Sequence, residues 1–401
     1  MLALVLLLVA GSARAFEKIE WRDFTLELAG NAEAQTRQLT NQPPAQKFPL
    51  QQDWESSNFN LGLANLSAKA EFRTARVEAN WFLRYTQSPL YEDDYIAPFL
   101  INFPRKVVAR DVFRLDYTRQ DGGNRTESVL NRLTYELDGE TSRFAVGRMF
   151  INYGSGEVFN PINPFNQPLG LVAQSNIAQG NDGMRGSFFL SDDSTLHFYL
   201  LGNKRLEDYE NQITRTLWLH GEYRFGDWQL DYVAGEDQKR NKIGFQLNRI
   251  VGEGMVFFQF LETSSLLNDR PSSQLSDVLL GYDNQLTGRW HLRVEVGHQE
   301  TDRLALAENP AALGERLLPY EYFVAVANAY ELHPLVKAYA TVIHDFKTRY
   351  VYGLGRLSWS VAKDFEWDFF VNTPLYWIED ETNLVQKSFP TELGTGLRLY
   401  F

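Results

Sequence analysis

Few residues of this sequence could carry out covalent chemistry. It contains six histidines and no cysteine, which excludes a disulfide framework, a thiolate metal site and a cysteine nucleophile. No histidine is followed by serine within two residues, so no local base and nucleophile pair is present. The single dipeptide His344-Asp345 is too little for a protease site, and the acidic clusters Glu92-Asp93-Asp94 and Asp192-Asp193 lack calcium-loop spacing. The sequence therefore predicts no catalytic residue, no metal site and no cofactor.

The most unusual stretch of the chain is the segment 153–182, which has no strand periodicity. It is rich in amides and aliphatic residues, nearly uncharged and stiffened by prolines. Irregular segments of this length are usually functional or disordered, and this composition is not typical of disorder. We expect the segment either to fold into the interior of the protein as a constriction or to pack on its rim. The residues predicted to line a constriction are Tyr153, Glu157, Asn160, Asn163, Phe165 and Asn166.

Charged residues recur at every second position of alternating segments, so they would face one common interior. An interior with both signs of charge creates a transverse field and a wet wall, which suits small polar solutes. Mutual neutralisation of these charges is an alternative compatible with the same arrangement. The predicted interior charges are Arg76, Arg84, Arg110, Arg114, Arg132, Arg224, Arg293, Arg356, Glu78, Asp116, Glu222, Glu295 and Glu366.

The elements that position these residues read as long β-strands. Apolar and polar residues alternate with a period of two in segments such as Ala75 to Gln87, Ile213 to Phe225 and Phe365 to Asn372. The segments last about ten residues, which is the span of a tilted transmembrane strand rather than of a soluble sandwich strand. The pattern predicts a transmembrane antiparallel up-and-down β-barrel.

The connections alternate in length. Tight turns such as Gly226-Asp227 and Ala362 to Asp364 occur on one side, and longer links such as 300–318 and 373–389 occur on the other. Short periplasmic turns and long outer loops are expected of an outer-membrane barrel. A single-chain bacterial barrel has an even number of strands. The up-and-down order of the candidate strands fails within 88–107, so the count is not fixed there. We predict 18 strands, with 16 to 20 as the range.

The N-terminus and the composition agree with this location. An apolar run followed by Ala13-Arg14-Ala15 predicts a signal peptide over residues 1–15, cleaved near Ala15, and a single barrel domain over 16–401. The net charge of −12 argues against nucleic acid as a partner. The mean hydropathy of −0.34 excludes a helical multi-span membrane protein.

The final segment, Thr391 to Phe401, places Leu393, Leu397, Leu399 and Phe401 on one face. Here the chain resembles the bacterial outer-membrane β-barrel family, in which the last strand ends in an aromatic residue. The resemblance implies that the barrel-assembly machinery reads this strand and that the outer surface contacts outer-membrane lipid. The stretch from Gly147 to Phe165 also looks like a segment of some porin-like outer-membrane proteins.

Together these features predict a porin-like channel for passive diffusion of small polar solutes across a bacterial outer membrane. An export or assembly barrel for a polysaccharide is an alternative, although such a barrel would normally have a strongly basic interior. A barrel hydrolase is less favoured, because the His-x-Ser-Asn-Gly motif of outer-membrane phospholipase A does not occur. A homo-oligomer is compatible with the sequence.

Overall fold

The computed structural model describes residues 19–21, 23–40, 57–87, 108–109, 116–165, 180–205, 213–237, 240–265, 274–300, 321–347, 350–376 and 391–400. The predicted signal peptide, residues 1–15, lies outside them. No helix in the described part of the chain is long and apolar enough to cross a membrane. The strands are β1 (Ile19–Trp21), β2 (Phe24–Thr40), β3 (Ser57–Phe72), β4 (Ala75–Gln87), β5 (Val108–Ala109), β6 (Asp116–Asp121), β7 (Asn124–Asp138), β8 (Ser142–Met149), β9 (Asn181–Ser191), β10 (Ser194–Arg205), β11 (Ile213–Phe225), β12 (Trp228–Asp237), β13 (Arg240–Val251), β14 (Gly254–Ser265), β15 (Gln274–Thr287), β16 (Trp290–Gln299), β17 (Tyr322–His333), β18 (Val336–Asp345), β19 (Tyr350–Ala362), β20 (Phe365–Tyr376) and β21 (Thr391–Tyr400).

The sheet closes into a barrel because β2 pairs with β3 on one edge and with β21 on the other. Between these two strands every wall strand pairs antiparallel with its neighbours, β4 pairing directly with β7. The wall has 18 strands, which confirms both the predicted fold and the predicted strand number. Closure leaves no open edge, so each wall strand finds its backbone partners within the barrel.

Three short strands lie outside this count. β1 forms a hairpin with the start of β2, whereas β5 and β6 follow the stretch 88–107 at which the sequence loses its up-and-down order. That stretch lies outside the described residues. β6 pairs with β7 beyond the last residue that β8 reaches, and β5 pairs with β10 beyond the end of β9. These strands therefore extend the sheet past the end of the short pair β8 and β9.

Tight turns join neighbouring strands at one end of the barrel. They include the predicted turns at 226–227 and 363–364. The two ends of the wall lie there as well, since Phe24 pairs with Phe72 before the turn 73–74, and the Tyr400 N–H donates to the Asp364 carbonyl at 2.9 Å. This is the end that the sequence predicts to be periplasmic. The links predicted to be long begin at the opposite end, and most of their residues lie outside the described part.

The two faces of the wall differ in polarity, as the period of two predicts. On β16 the outward Val296 is 46% exposed, whereas the inward Arg293 and Glu295 are buried. On β20 the outward Phe369 is exposed and the inward Asp368 is buried. An apolar outer face and a polar inner face are the pattern of a membrane-spanning barrel with an aqueous interior.

Aromatic residues cluster on the outer face near the tight-turn end. Phe225 and Trp228 stack with ring centroids 6.4 Å apart across one hairpin, and Trp359 and Trp367 stack at 6.3 Å across another. Trp290 lies directly after a third turn and is exposed. Amphipathic rings at this level suit a membrane interface, where one edge of the ring is apolar and the other is wet.

Candidate functional site

The chain leaves the wall at the end of β8. Gly147 has a φ of 123°, and a Cβ atom there would lie 2.1 Å from the carbonyl oxygen of Leu133, so only glycine fits. The break turns Arg148 into a buried position, where its guanidinium donates to both carboxylate oxygens of Asp182 at 2.8 and 3.0 Å and to the Leu130 carbonyl at 2.9 Å. If the alternation of β8 continued without a break, Arg148 would face lipid. The break at Gly147 turns its side chain inward. The buried ion pair joins β8 to β9 at the root of the connecting segment.

The described part of this connection, residues 150–165, packs against inward-facing side chains of the wall, and we call it the inward segment. Its first contact is with β10 and β11. The Tyr153 ring stacks on His220 with centroids 4.2 Å apart, and Phe165 meets Trp218 edge-on at 5.3 Å. Ile162 is fully buried in the same cluster. These rings attach the two ends of the segment to one side of the barrel.

The second contact lies further around the wall. Val158 and Phe159 are buried together with Phe257 of β14, Phe323 of β17 and Tyr352 of β19. The rings of Phe159 and Phe323 meet edge-on at 6.0 Å. The first cluster also includes Val233 of β12 and Leu261 of β14, and the Ser155 N–H donates to Gln246 of β13, so the segment lies inside the barrel and follows the inner wall from β10 to β17.

A single carboxylate holds the middle of the inward segment. Glu295 of β16 accepts hydrogen bonds from three consecutive backbone N–H groups, those of Glu157, Val158 and Phe159, at 2.7, 2.9 and 3.3 Å. Arg293 donates to the same carboxylate at 2.8 Å. Successive backbone N–H groups converging on one anion form a backbone nest, and charge-assisted hydrogen bonds of this kind are stronger than neutral ones.

The glycines and amides of the segment shape its own backbone. Gly154 has a φ of 83°, and a Cβ atom at Gly156 would lie 1.8 Å from the carbonyl oxygen of Phe159. Asn160 donates to the Tyr153 carbonyl at 2.8 Å, and Asn163 donates to the same carbonyl at 3.2 Å. Both asparagines are buried. Their side chains thus stabilise the fold of the segment rather than face open lumen.

Glu157 is the charged residue that the inward segment exposes. Its side chain is 57% exposed, and its carboxylate lies 3.5 Å from the Arg293 guanidinium. Of the other residues predicted to line a constriction, Tyr153, Asn160, Asn163 and Phe165 are buried in the contacts described above. Asn166 lies outside the described residues, as does the stretch 166–179.

Most of the predicted interior charges form an ion pair with an oppositely charged residue of the inner wall. The pairs are Arg84 with Glu127, Arg132 with Glu78 at 2.5 Å, Arg76 with Glu136 at 3.6 Å, Arg293 with Asp283 at 2.6 Å, Arg356 with Asp368 at 2.8 Å and Glu366 with Arg398 at 3.3 Å. Arg224 and Glu222 share the inward face of β11. Arg110 and Arg114 lie outside the described residues, and of Asp116 only the backbone, in β6, is described. The inner wall is therefore densely charged, with opposite charges side by side.

Two histidines also meet on the inner wall, which the sequence did not predict. His197 of β10 and His220 of β11 are register partners, and Glu222 lies two residues beyond His220 on the same face. The sequence contains the residues but not their proximity. The link between β10 and β11 is long, so it does not set the register that would bring the two histidines opposite each other.

Comparisons with known proteins find structural similarity but no sequence match. No protein-family model and no characterised sequence matches the chain. Solved structures of similar fold include OccAB4 from Acinetobacter baumannii, at 11% identity and a TM-score of 0.57 over 94% of this chain and 98% of that one. A BenF-like porin from Pseudomonas fluorescens Pf-5 is similar at 10% identity and a TM-score of 0.56, again over 94% and 98%.

The chain has the fold of the outer-membrane porins. OccK2 (OpdF) from Pseudomonas aeruginosa, solved in complex with glucuronate, shares this fold at 10% identity and a TM-score of 0.52, over 93% of this chain and 97% of that one. Likeness at these identities establishes the architecture of a closed barrel. The function of this chain is argued from its own interior.

Proposed function

We propose that this protein is an outer-membrane channel for passive diffusion of small polar solutes. The observation that carries the proposal is the inward segment, which lies inside a closed barrel and packs against its inner wall from β10 to β17. A barrel of 18 strands encloses more space than its own side chains fill. A segment packed inside that space narrows the lumen, which favours the passage of small solutes over large ones.

The charges of the inner wall favour a wet path of mild selectivity. Paired arginines and carboxylates hold water and create a transverse field, but their signs largely cancel. Near the inward segment the exposed charge is Glu157, beside Arg293. We therefore expect neutral polar solutes to pass more readily than strongly charged ones. Glucuronate, which OccK2 (OpdF) holds in its structure, is a suitable charged probe to compare with neutral glucose.

The chain lies in the outer membrane of a Gram-negative bacterium, with lipid around the apolar outer face. The barrel-assembly machinery recognises its final strand, β21 with Phe401, and transport involves no covalent step. A polysaccharide exporter is less favoured, because the inward segment lies inside the lumen, where it would obstruct a polymer, and the inner-wall arginines of the described strands are paired with carboxylates.

Deletion of Asn160 to Gln174 tests the constriction. The barrel should still assemble, because Met149 and Asn181 are register partners and a short connection can join them. The deletion removes Ile162 and Phe165, which anchor the segment at β10 and β11. Single-channel conductance in planar bilayers should rise, and liposome swelling should accelerate for glucuronate more than for glucose.

The control is the undeleted protein, with assembly of both proteins checked by heat-modifiable gel mobility. If an assembled deletion variant has unchanged conductance, the inward segment does not limit the pore. If the undeleted barrel, inserted in bilayers, conducts no ions at all, the channel function itself is wrong.

A further inference from the structure

A second site lies on the inner wall, on the face of β9, β10 and β11 that the channel proposal does not use. Ser187, His197 and His220 occupy one row across the three strands, each the register partner of the next. Glu222 lies beside the two histidines on the same face of β11. We propose that His197, His220 and Glu222 form a binding site for a divalent transition-metal ion of the zinc type.

The distances suit a shared ion. The Nε2 atoms of His197 and His220 lie 3.6 and 3.8 Å from the same Glu222 carboxylate oxygen, and the ligand atoms of the cluster are all within 4.8 Å of one another. Ligand atoms around a tetrahedral zinc ion, with bonds of about 2.1 Å, lie roughly 3.4 Å apart. The rings of His197 and His220 are nearly parallel, with an interplanar angle of 18°, so binding one ion requires side-chain rotations that turn both Nε2 atoms toward it beside Glu222.

The state of His220 points to a ligand. The residue is 1% exposed, and neither ring nitrogen has a hydrogen-bond partner among the described residues. A buried imidazole without hydrogen bonds is unfavourable, because its ring nitrogens lose water and gain nothing in return. Its Nε2 faces Glu222, and Tyr153 of the inward segment covers the ring from above. An ion at this point would satisfy the nitrogen that faces the carboxylate.

His197 is oriented for the same task. Its Nδ1 lies 2.8 Å from the Ser187 hydroxyl, which leaves Nε2 directed toward Glu222. Metal-binding histidines are usually held by a second hydrogen bond of this kind at the other ring nitrogen. The side chains of His197 and Glu222 are 18% and 33% exposed, so an ion can reach them from the lumen.

The donor set indicates the class of metal. Two imidazoles and one carboxylate suit Zn²⁺ or Cu²⁺ better than Ca²⁺ or Mg²⁺, which prefer oxygen ligands. Three protein ligands leave a coordination position open to water or a solute. The bound ion would place positive charge on the inner wall next to Tyr153.

The test uses the tag-free full-length barrel in detergent, stripped with a chelator and titrated with Zn²⁺ by calorimetry. We expect one ion per barrel. His220→Ala and His197→Ala should each weaken binding by more than about 100-fold, and Ser187→Ala by about 10- to 100-fold through loss of ligand orientation. His291→Ala is the matched control, because this inner-wall histidine contacts a carboxylate, Asp283, outside the cluster. That variant should bind as the wild type does.

A second measurement needs no variant. Co²⁺ added to the stripped wild type should produce visible absorption typical of tetrahedral nitrogen and oxygen coordination, and one equivalent of Zn²⁺ should abolish it. Absence of this spectrum together with no saturable Zn²⁺ binding would overturn the proposal. Equal affinities of His220→Ala, His291→Ala and the wild type would do the same. Neither result bears on whether the barrel conducts, because the metal site does not rest on the channel function.

Discussion

Glu295 holds the inward segment through hydrogen bonds from three of its backbone N–H groups. Replacing it with alanine leaves three backbone N–H groups without their acceptor, and each such buried group costs about 1–3 kcal/mol. We expect Glu295→Ala to loosen the segment and raise the mean single-channel conductance, with an assembled barrel. Glu295→Gln should have a smaller effect, since its amide oxygen still accepts. Glu366→Ala is the control, because Glu366 pairs with Arg398 and not with the segment. Equal conductance changes in Glu295→Ala and Glu366→Ala would refute a specific anchor.

Glu157 should set the weak ion preference of the pore. A unit charge about 7 Å from a passing ion interacts with it by roughly 0.6 kcal/mol in a high-dielectric path. Glu157→Gln should therefore lower the permeability of cations and raise that of anions, each about threefold, so the cation-to-anion permeability ratio should fall up to about eightfold at low salt without a change of conductance at high salt. Reversal potentials across a KCl gradient measure this ratio. Glu140→Gln, an exposed carboxylate in a tight turn outside the lumen, should leave the ratio unchanged, and an equal shift in both variants would show that the effect is not local.

For single residues, the sequence indicated which face of the wall a charged side chain occupies, but not which partner it contacts. The alternation placed Arg76, Glu78 and Arg293 on the interior, and the structure pairs each of them with an opposite charge. It did not show that Asn160 and Asn163 bond within the inward segment. Which carbonyl an amide reaches depends on the turns at Gly154 and Gly156, and an irregular segment has no period from which to infer it.

At the scale of strands, glycines opposite large rings shape the inner wall. A Cβ atom at Gly281 of β15 would lie 1.9 Å from the ring of its register partner Phe257, which is fully buried under the inward segment. Gly297 and Phe323 repeat the arrangement on β16 and β17. Glycine lets each ring lie flat over the neighbouring strand, a device that pins register in β-barrels.

Gly281→Ala should lower the free energy of unfolding by about 1–3 kcal/mol, because the ring must move within a packed site. Urea titration of the folded barrel in detergent measures this quantity. Gly288→Ala is the control, since no atom lies within 4 Å of a Cβ at that turn glycine. In a Phe257→Ala background the penalty of Gly281→Ala should disappear. A penalty that persists there would show that the ring is not its cause.

The strands themselves were readable from the sequence. The alternating segments Ala75 to Gln87 and Ile213 to Phe225 coincide with β4 and β11, since turn residues flank them and every second residue faces lipid. The short strands β5 and β6 could not be predicted from the sequence. A strand of two residues has no period, and its pairing with β10 joins positions far apart in the chain.

For the whole molecule, the closed wall defines a barrel axis, but the fold alone does not determine which end of the barrel faces the periplasm. The strand count followed from parity and from repeated lengths, which a barrel imposes on its sequence. The sequence did not determine that the segment packs inside the lumen, because packing on the rim would satisfy the same composition. Val158 and Phe159 contact strands that are far from β8 in the chain, and such contacts depend on the tertiary fold and not on any local sequence pattern.

The direction of the axis gives the last prediction. The turn at Asp227 lies at the end that carries the other tight turns and both ends of the wall, and we expect this end to face the periplasm. The exposed Lys347 lies at the opposite end, in the connection between β18 and β19. The natural chain has no cysteine, so Asp227→Cys and Lys347→Cys each carry one thiol. A membrane-impermeant maleimide too large for the pore should label Lys347→Cys on intact cells and label Asp227→Cys only after the outer membrane is permeabilised. The reverse pattern would turn the barrel over in the membrane, with the tight turns facing the cell exterior.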